Sequence, residues 1–185
     1  MSLYPGWVTR VYPIPQNMDQ IYNMMDMGSF ILDETLFTLT SHKQYGIEHP
    51  NTALYRLNAL FPAYIKGRHQ VGVQLGLSEA YKNIKAKGSS DATCFVRVEI
   101  DEKRIIDTRL SIYKNQAPEK ILTGEVNLDS GIHPITAMFY CDEKSEINSK
   151  DIVISLRFRT PGEYSLTNNR NSVYHIYKSD FKPKT

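Results

Sequence analysis

Two cysteines in 185 residues, Cys94 and Cys141, are all the thiol chemistry the chain has. They stand far apart with no CxxC pair, which excludes a zinc centre built on thiolates. No run of 18 or more apolar residues occurs, so no membrane-spanning helix is expected, and no charged-then-apolar leader opens the sequence. Neither sign of charge dominates. The 22 Lys and Arg are scattered among 20 Asp and Glu for a net +2, unlike the clustered basic footprint of a nucleic-acid binder. The ten glycines form no GxxxxGK or GxGxxG phosphate loop. The five histidines, at 42, 49, 69, 133 and 175, never fall at an HxH or HxxxH spacing. No G-x-S-x-G elbow holds a nucleophile, and Gly88-Ser89-Ser90 lacks that pattern. Glu99, Asp101, Glu125 and Asp129 can be paired on paper, but nothing sets their acidities apart, so a solvated acidic surface is expected.

What the chain has instead is alternation. Cys94, Val96, Val98 and Ile100 interleave with Phe95, Arg97 and Glu99, the period of a strand with one buried face. The turn Asp101-Glu102-Lys103 then reverses the chain into Arg104-Ile105-Ile106-Asp107, which predicts a hairpin. Further strands are expected at 7–12, 71–77, 121–128, 132–140, 151–158 and 173–177, separated by turn chemistry at 88–91 and 129–131 and by the polar segment 142–150. Strands at this spacing in a 185-residue chain predict one antiparallel β-sandwich. The first third is less regular. Residues 17–26, with Ile21, Met24 and Met25 on one arc, read as a short helix or irregular turn, and 51–60 has weak helical character. The methionines there are expected to pack rather than bind metal. Residues 1–5 read as a leader, 6–177 as the domain and 178–185 as a solvated basic tail. Strand phase points both cysteines into the core, where they form either a disulfide or two inert thiols.

Loops carry function in sandwiches, and the loops here offer Asp91, Asp142, Asn148, Asn168, Asn169 and Asn171, with Tyr140 and Tyr164 nearby. Carboxylates and amides hold vicinal hydroxyls and aromatic rings stack on sugar faces, so these are candidate ligand contacts. The run Thr167 to Asn171 reads equally as a turn.

Laid end to end, the strands resemble the protective-antigen-type β-sandwich of bacterial binary toxins, some β-glucosidases and flocculin-type adhesins. Four places carry the likeness: Gly6 to Tyr12, Phe61 to Leu75, the Ile100 to Asp107 hairpin, and Val126 to Ile135. The resemblance implies a non-catalytic module, secreted or at the cell surface, that recognises a glycan. The alternative is a structural domain making protein contacts in a larger surface assembly. Two positions depart from the family. Glu102 stands where a Gly is usual in the hairpin. Sugar-binding members carry two consecutive aspartates that bind Ca²⁺, whereas this chain has Ser90-Asp91, leaving Asp91 as the lone candidate ligand. No cofactor is therefore expected.

Overall fold

Eleven strands form among the residues that the computed structural model describes, which are 2–50, 52–77, 91–113, 120–143, 152–168 and 172–177. They are β1 (Tyr4–Pro5), β2 (Trp7–Tyr12), β3 (Gly28–Leu32), β4 (Leu54–Ala63), β5 (Gly67–Leu77), β6 (Asp91–Ile100), β7 (Lys103–Tyr113), β8 (Lys120–Leu128), β9 (Gly131–Glu143), β10 (Ile152–Arg159) and β11 (Tyr174–His175). Eight of them make one antiparallel sheet in the order β1-β11-β4-β9-β6-β7, with β2 on β4 and β3 on β2. The other three, β10-β5-β8, make the second. The fold class expected from the alternation is the one observed. Between the sheets, Tyr55, Leu57 and Phe61 of β4, Val96 and Val98 of β6, and Ala137 and Phe139 of β9 share one core with Val71, Val73 and Leu75 of β5 and Ile154, Leu156 and Phe158 of β10.

Three expectations are corrected here. Within the weakly helical segment 51–60, residues 54–60 belong to β4, a central strand paired with β9 from Tyr55 to Ala63. Its Leu, Arg and Ala favour helices intrinsically, but Tyr55, Leu57, Ala59, Phe61 and Ala63 alternate into the core, and burial outweighs propensity. Residues 4 and 5, read as leader, pair with His175 and Tyr174, and the Gly6 N–H donates to the Val173 carbonyl, so the sheet claims backbone before residue 6. The tail 178–185 lies outside the described residues. The methionine arc also shifts. The short helix expected there is a 3-10 turn over residues 18–23, and its three residues per turn align Met18, Ile21 and Met24 while Met25 is 89% exposed.

That 3-10 turn is part of a strap, running from β2 to β3, that covers the outer face of the large sheet. Met18 and Ile21 bury against Tyr12, Leu54, Met138 and Tyr140 in a second cluster, flanked by Met24 and Phe95. Asn17 caps the turn, its side-chain oxygen accepting from the Asp19 N–H at 3.1 Å. Arg97 of β6 fastens the strap. Its side chain is only 7% exposed, and it donates to Asp19 at 2.9 Å and to Asp107 of β7 at 3.1 Å. The Arg97 guanidinium in turn holds the Asp19 carboxyl below the usual carboxylate range.

The hairpin turn holds Asp101 and Glu102, with φ of 51° and 66°. Glu102 thus adopts the left-handed backbone that glycine takes at no cost, a penalty of roughly 1–2 kcal/mol for a residue with a Cβ. Just beyond it the register slips. Glu99 pairs with Arg104 and Val98 with Ile106, leaving Ile105 as a bulge residue with no partner. The bulge aims the Ile105 carbonyl at β8, where a Cβ built on Gly124 would lie 2.3 Å from that oxygen. Only glycine lets the two sheets approach so closely on this side.

Two stability outcomes follow. Gly124→Ala forces backbone apart and should cost about 1–3 kcal/mol by denaturant unfolding. Removing both carboxylates, Asp19→Asn with Asp107→Asn, strands a buried guanidinium and should cost about 3 kcal/mol. The same measurement on Arg97→Met should show a smaller loss, because the two carboxylates left behind are largely exposed and can rehydrate.

Candidate functional site

Strand register defines one end of the sandwich. Leu77 at the end of β5 sits opposite Ile152, Asp91 at the start of β6 sits opposite Tyr113, and Ala92 sits opposite Glu143 at the end of β9. The connections 78–90, 114–119 and 144–151 all leave from this end. At the opposite end the described turns are tight, at 64–66, 101–102 and 129–130.

Two of the six candidate ligand residues fall on adjacent strands at the first end. Asp142 pairs with Thr93, and Asp91 stands two positions further out on the same strand, β6. Asp142 is exposed. Burial raises the pKa of the Tyr140 phenol, and the Asp142 charge raises it further. Directly inboard, Cys94 and Cys141 face each other across β6 and β9 and are joined in a disulfide, both 1% exposed. The crosslink fixes the spacing of the two strands that carry Asp91 and Asp142.

Asn168 does not join them. Asn168 lies along the edge of β10, where its amide donates to the Thr35 carbonyl at 2.9 Å and to the Ser155 hydroxyl. It ties the segment before Phe37 to the sandwich, three residues in from the Ile152 end of β10. Asn148, Asn169 and Asn171 lie outside the described residues. Of the two aromatic side chains, Tyr140 is buried beneath the strap and stacks on Phe95 at 4.4 Å, so it presents no face to a ligand. Tyr164 is 99% exposed in the turn after β10.

For Ca²⁺ the donor set falls short. The ion takes six to eight oxygens, and no group of three or more His, Cys, Asp or Glu gathers in metal-binding geometry among the described residues. The described rim therefore does not by itself fit calcium.

A second surface was not legible in sequence. Half of the outer face of the large sheet is covered by the strap. The other half is open, with a shallow recess of about 260 Å³ lined by Asn58, Leu60, Pro134, Thr136 and Tyr174. The Thr136 hydroxyl donates to the Asn58 amide oxygen at its floor, and Ile132 and Ile176 are exposed on this half. Proline and short strands conceal such a surface from any periodic signal, since Leu60 and Pro134 meet only through the β4–β9 register.

No protein-family model and no curated protein sequence matches the chain. Solved structures do. The PA14 domain of the antifreeze protein MpAFP aligns with a TM-score of 0.59 at 11% identity, over 98% of this chain and 96% of that one. An anti-sigma factor domain-containing protein aligns with a TM-score of 0.56 at 14% identity over 94% of this chain, which spans about half, 49%, of its length. A PA14 sugar-binding domain from an RTX adhesin aligns with a TM-score of 0.51 at 16% identity, over 88% of this chain and 94% of that one. The chain thus shares the sandwich fold of PA14 domains.

The disulfide makes the rim testable as a structural unit. Replacing Cys94 and Cys141 together by Ala should cost about 2–4 kcal/mol in thermal or denaturant unfolding, since the bond closes a loop of sequence separation 47.

Proposed function

We propose that the chain is a non-catalytic carbohydrate-recognition module of a secreted or cell-surface protein, binding its glycan at the Asp91–Asp142 end of the sandwich. The observation that carries this reading is the register: it brings two carboxylate-bearing positions from distant parts of the sequence onto adjacent strands, β6 and β9, at one end of the sandwich. Carboxylates and neighbouring amides are the groups that hold paired sugar hydroxyls. A solved domain of the same fold is a sugar-binding domain of an adhesin, which supports the same reading. In this reading recognition rests on direct hydrogen bonds from the two carboxylates.

A glycan array probed with and without Ca²⁺ tests it. Binding to one saccharide class should survive chelation and fall at least tenfold in the Asp91→Ala, Asp142→Ala double variant. An array silent in both conditions removes the reading, and binding abolished by chelation replaces direct recognition with a metal-bridged one. The second reading, a domain that makes protein contacts in a surface assembly, is favoured by the open apolar half of the outer face around Ile132 and Ile176. It predicts a silent array together with partner binding that Ile176→Asp abolishes.

A further inference from the structure

We propose that His133 is an acid-held clasp, joining the turns at the end of the sandwich opposite the Asp91–Asp142 rim, and that this clasp opens as pH rises. His133 is the third residue of β9. Its Nδ1 lies 2.7 Å from Asp101 Oδ2 in the β6–β7 turn, and its Nε2 lies 2.7 Å from the Asp129 backbone oxygen in the β8–β9 turn. Both partners are acceptors. A neutral imidazole carries one N–H and can satisfy only one of them, leaving a nitrogen lone pair against an oxygen lone pair at the other. Only the imidazolium donates to both.

The clasp reaches a third turn. The Asp129 carboxylate pairs with Lys66 Nζ at 3.5 Å, bringing in the β4–β5 turn, while the Asp101 N–H donates to the Pro134 carbonyl at 3.1 Å. The charges facing the ring are therefore Asp101 from one turn and Asp129 from the other, with Lys66 behind Asp129, and exposed Glu102 and Lys103 follow Asp101. Partial burial works against the charged ring, but the Asp129 carbonyl and the Asp101 carboxylate outweigh it and raise its pKa above 6.5. A histidine raised in this way contributes stability that is fully present below 6.5 and lost as pH climbs through the folded value.

A second histidine works in the opposite sense. The Tyr55 hydroxyl accepts from the His42 backbone N–H at 2.7 Å, which leaves its own proton for His42 Nδ1 at 2.8 Å, while Nε2–H donates to the His49 carbonyl at 3.0 Å. That chain of bonds needs a neutral ring, and burial lowers the pKa of His42, so its contribution is lost as pH falls below 6.5. Burial lowers the pKa of His175 in the same way. Whole-protein stability mixes these terms, and the clasp must be read locally.

The test is an NMR titration of the full chain from about pH 5 to 9, following the His133 ring nitrogens and the backbone amides of residues 101–103 and 129–132. The ring should titrate above 6.5, and the amides of both turns should move in the same step. That step should vanish in His133→Gln. In Asp101→Asn, which keeps the imidazole if the Gln variant fails to fold, the ring pKa should drop by about one unit, a tenfold loss of proton affinity. A ring that titrates at or below 6.5, or turn amides that stay still while it titrates, overturns the proposal.

Discussion

A sheet buried on one face can leave its other face to water; this one does so only in part, because its outer face carries Tyr12, Leu54, Met138 and Tyr140. Covering them needs a segment with too little regular structure to hold itself in place. Arg97 supplies the hold. Its aliphatic stem lies on the sheet, its guanidinium reaches one carboxylate on the strap and another on the neighbouring strand, and the fork geometry of the group suits two acceptors at once. Arg97 does this together with the Met27 N–H donating to the Val11 carbonyl, the Tyr22 hydroxyl donating to Glu99, and the burial of Met18 and Ile21. The strap so held divides the outer face into a covered part and an open part.

Much of the fold was legible because alternation is a local signal. Val96, Val98 and Ile100, or Ile152, Ile154 and Leu156, announce their buried face within six residues, and the turns at 101–102 and 129–130 fall where polar residues interrupt the pattern. Where the structure departs from that reading, a non-local force has prevailed. In β4 it is two-sided pairing within the sheet, which turns helix formers into a strand. In residues 18–23 it is the tighter period of a 3-10 turn, which moves the buried set from Met25 to Met18. Arg97, Asp19 and Asp107 lie on three different elements, and no spacing rule connects them.

The candidate site was legible only in part for the same reason. Asp142 and Asp91 are 51 positions apart, and the register that makes them neighbours comes from pairing β6 with β9. Asn168 sits in the run that looked most like a binding loop, yet its amide is committed to Thr35 and Ser155. Those are tertiary ties to distant segments, which no local signal in the run could show. Tyr140 shows the converse: composition marks an aromatic side chain as available, and only packing says that a methionine and an isoleucine already cover it.

The disulfide between β6 and β9 also has a mechanical side. It crosslinks two strands of one sheet and encloses β7, β8 and most of β6 and β9 in a loop of sequence separation 47. If tension is applied between the two ends of the chain, the load passes through the sulfur atoms and bypasses everything between them. At roughly 3.4 Å per residue, about 160 Å of contour length is withheld from extension. Asp91 and Asp142 lie just outside the bond, so a pull can peel the two strands apart only as far as Cys94 and Cys141, and everything the loop encloses is spared the load.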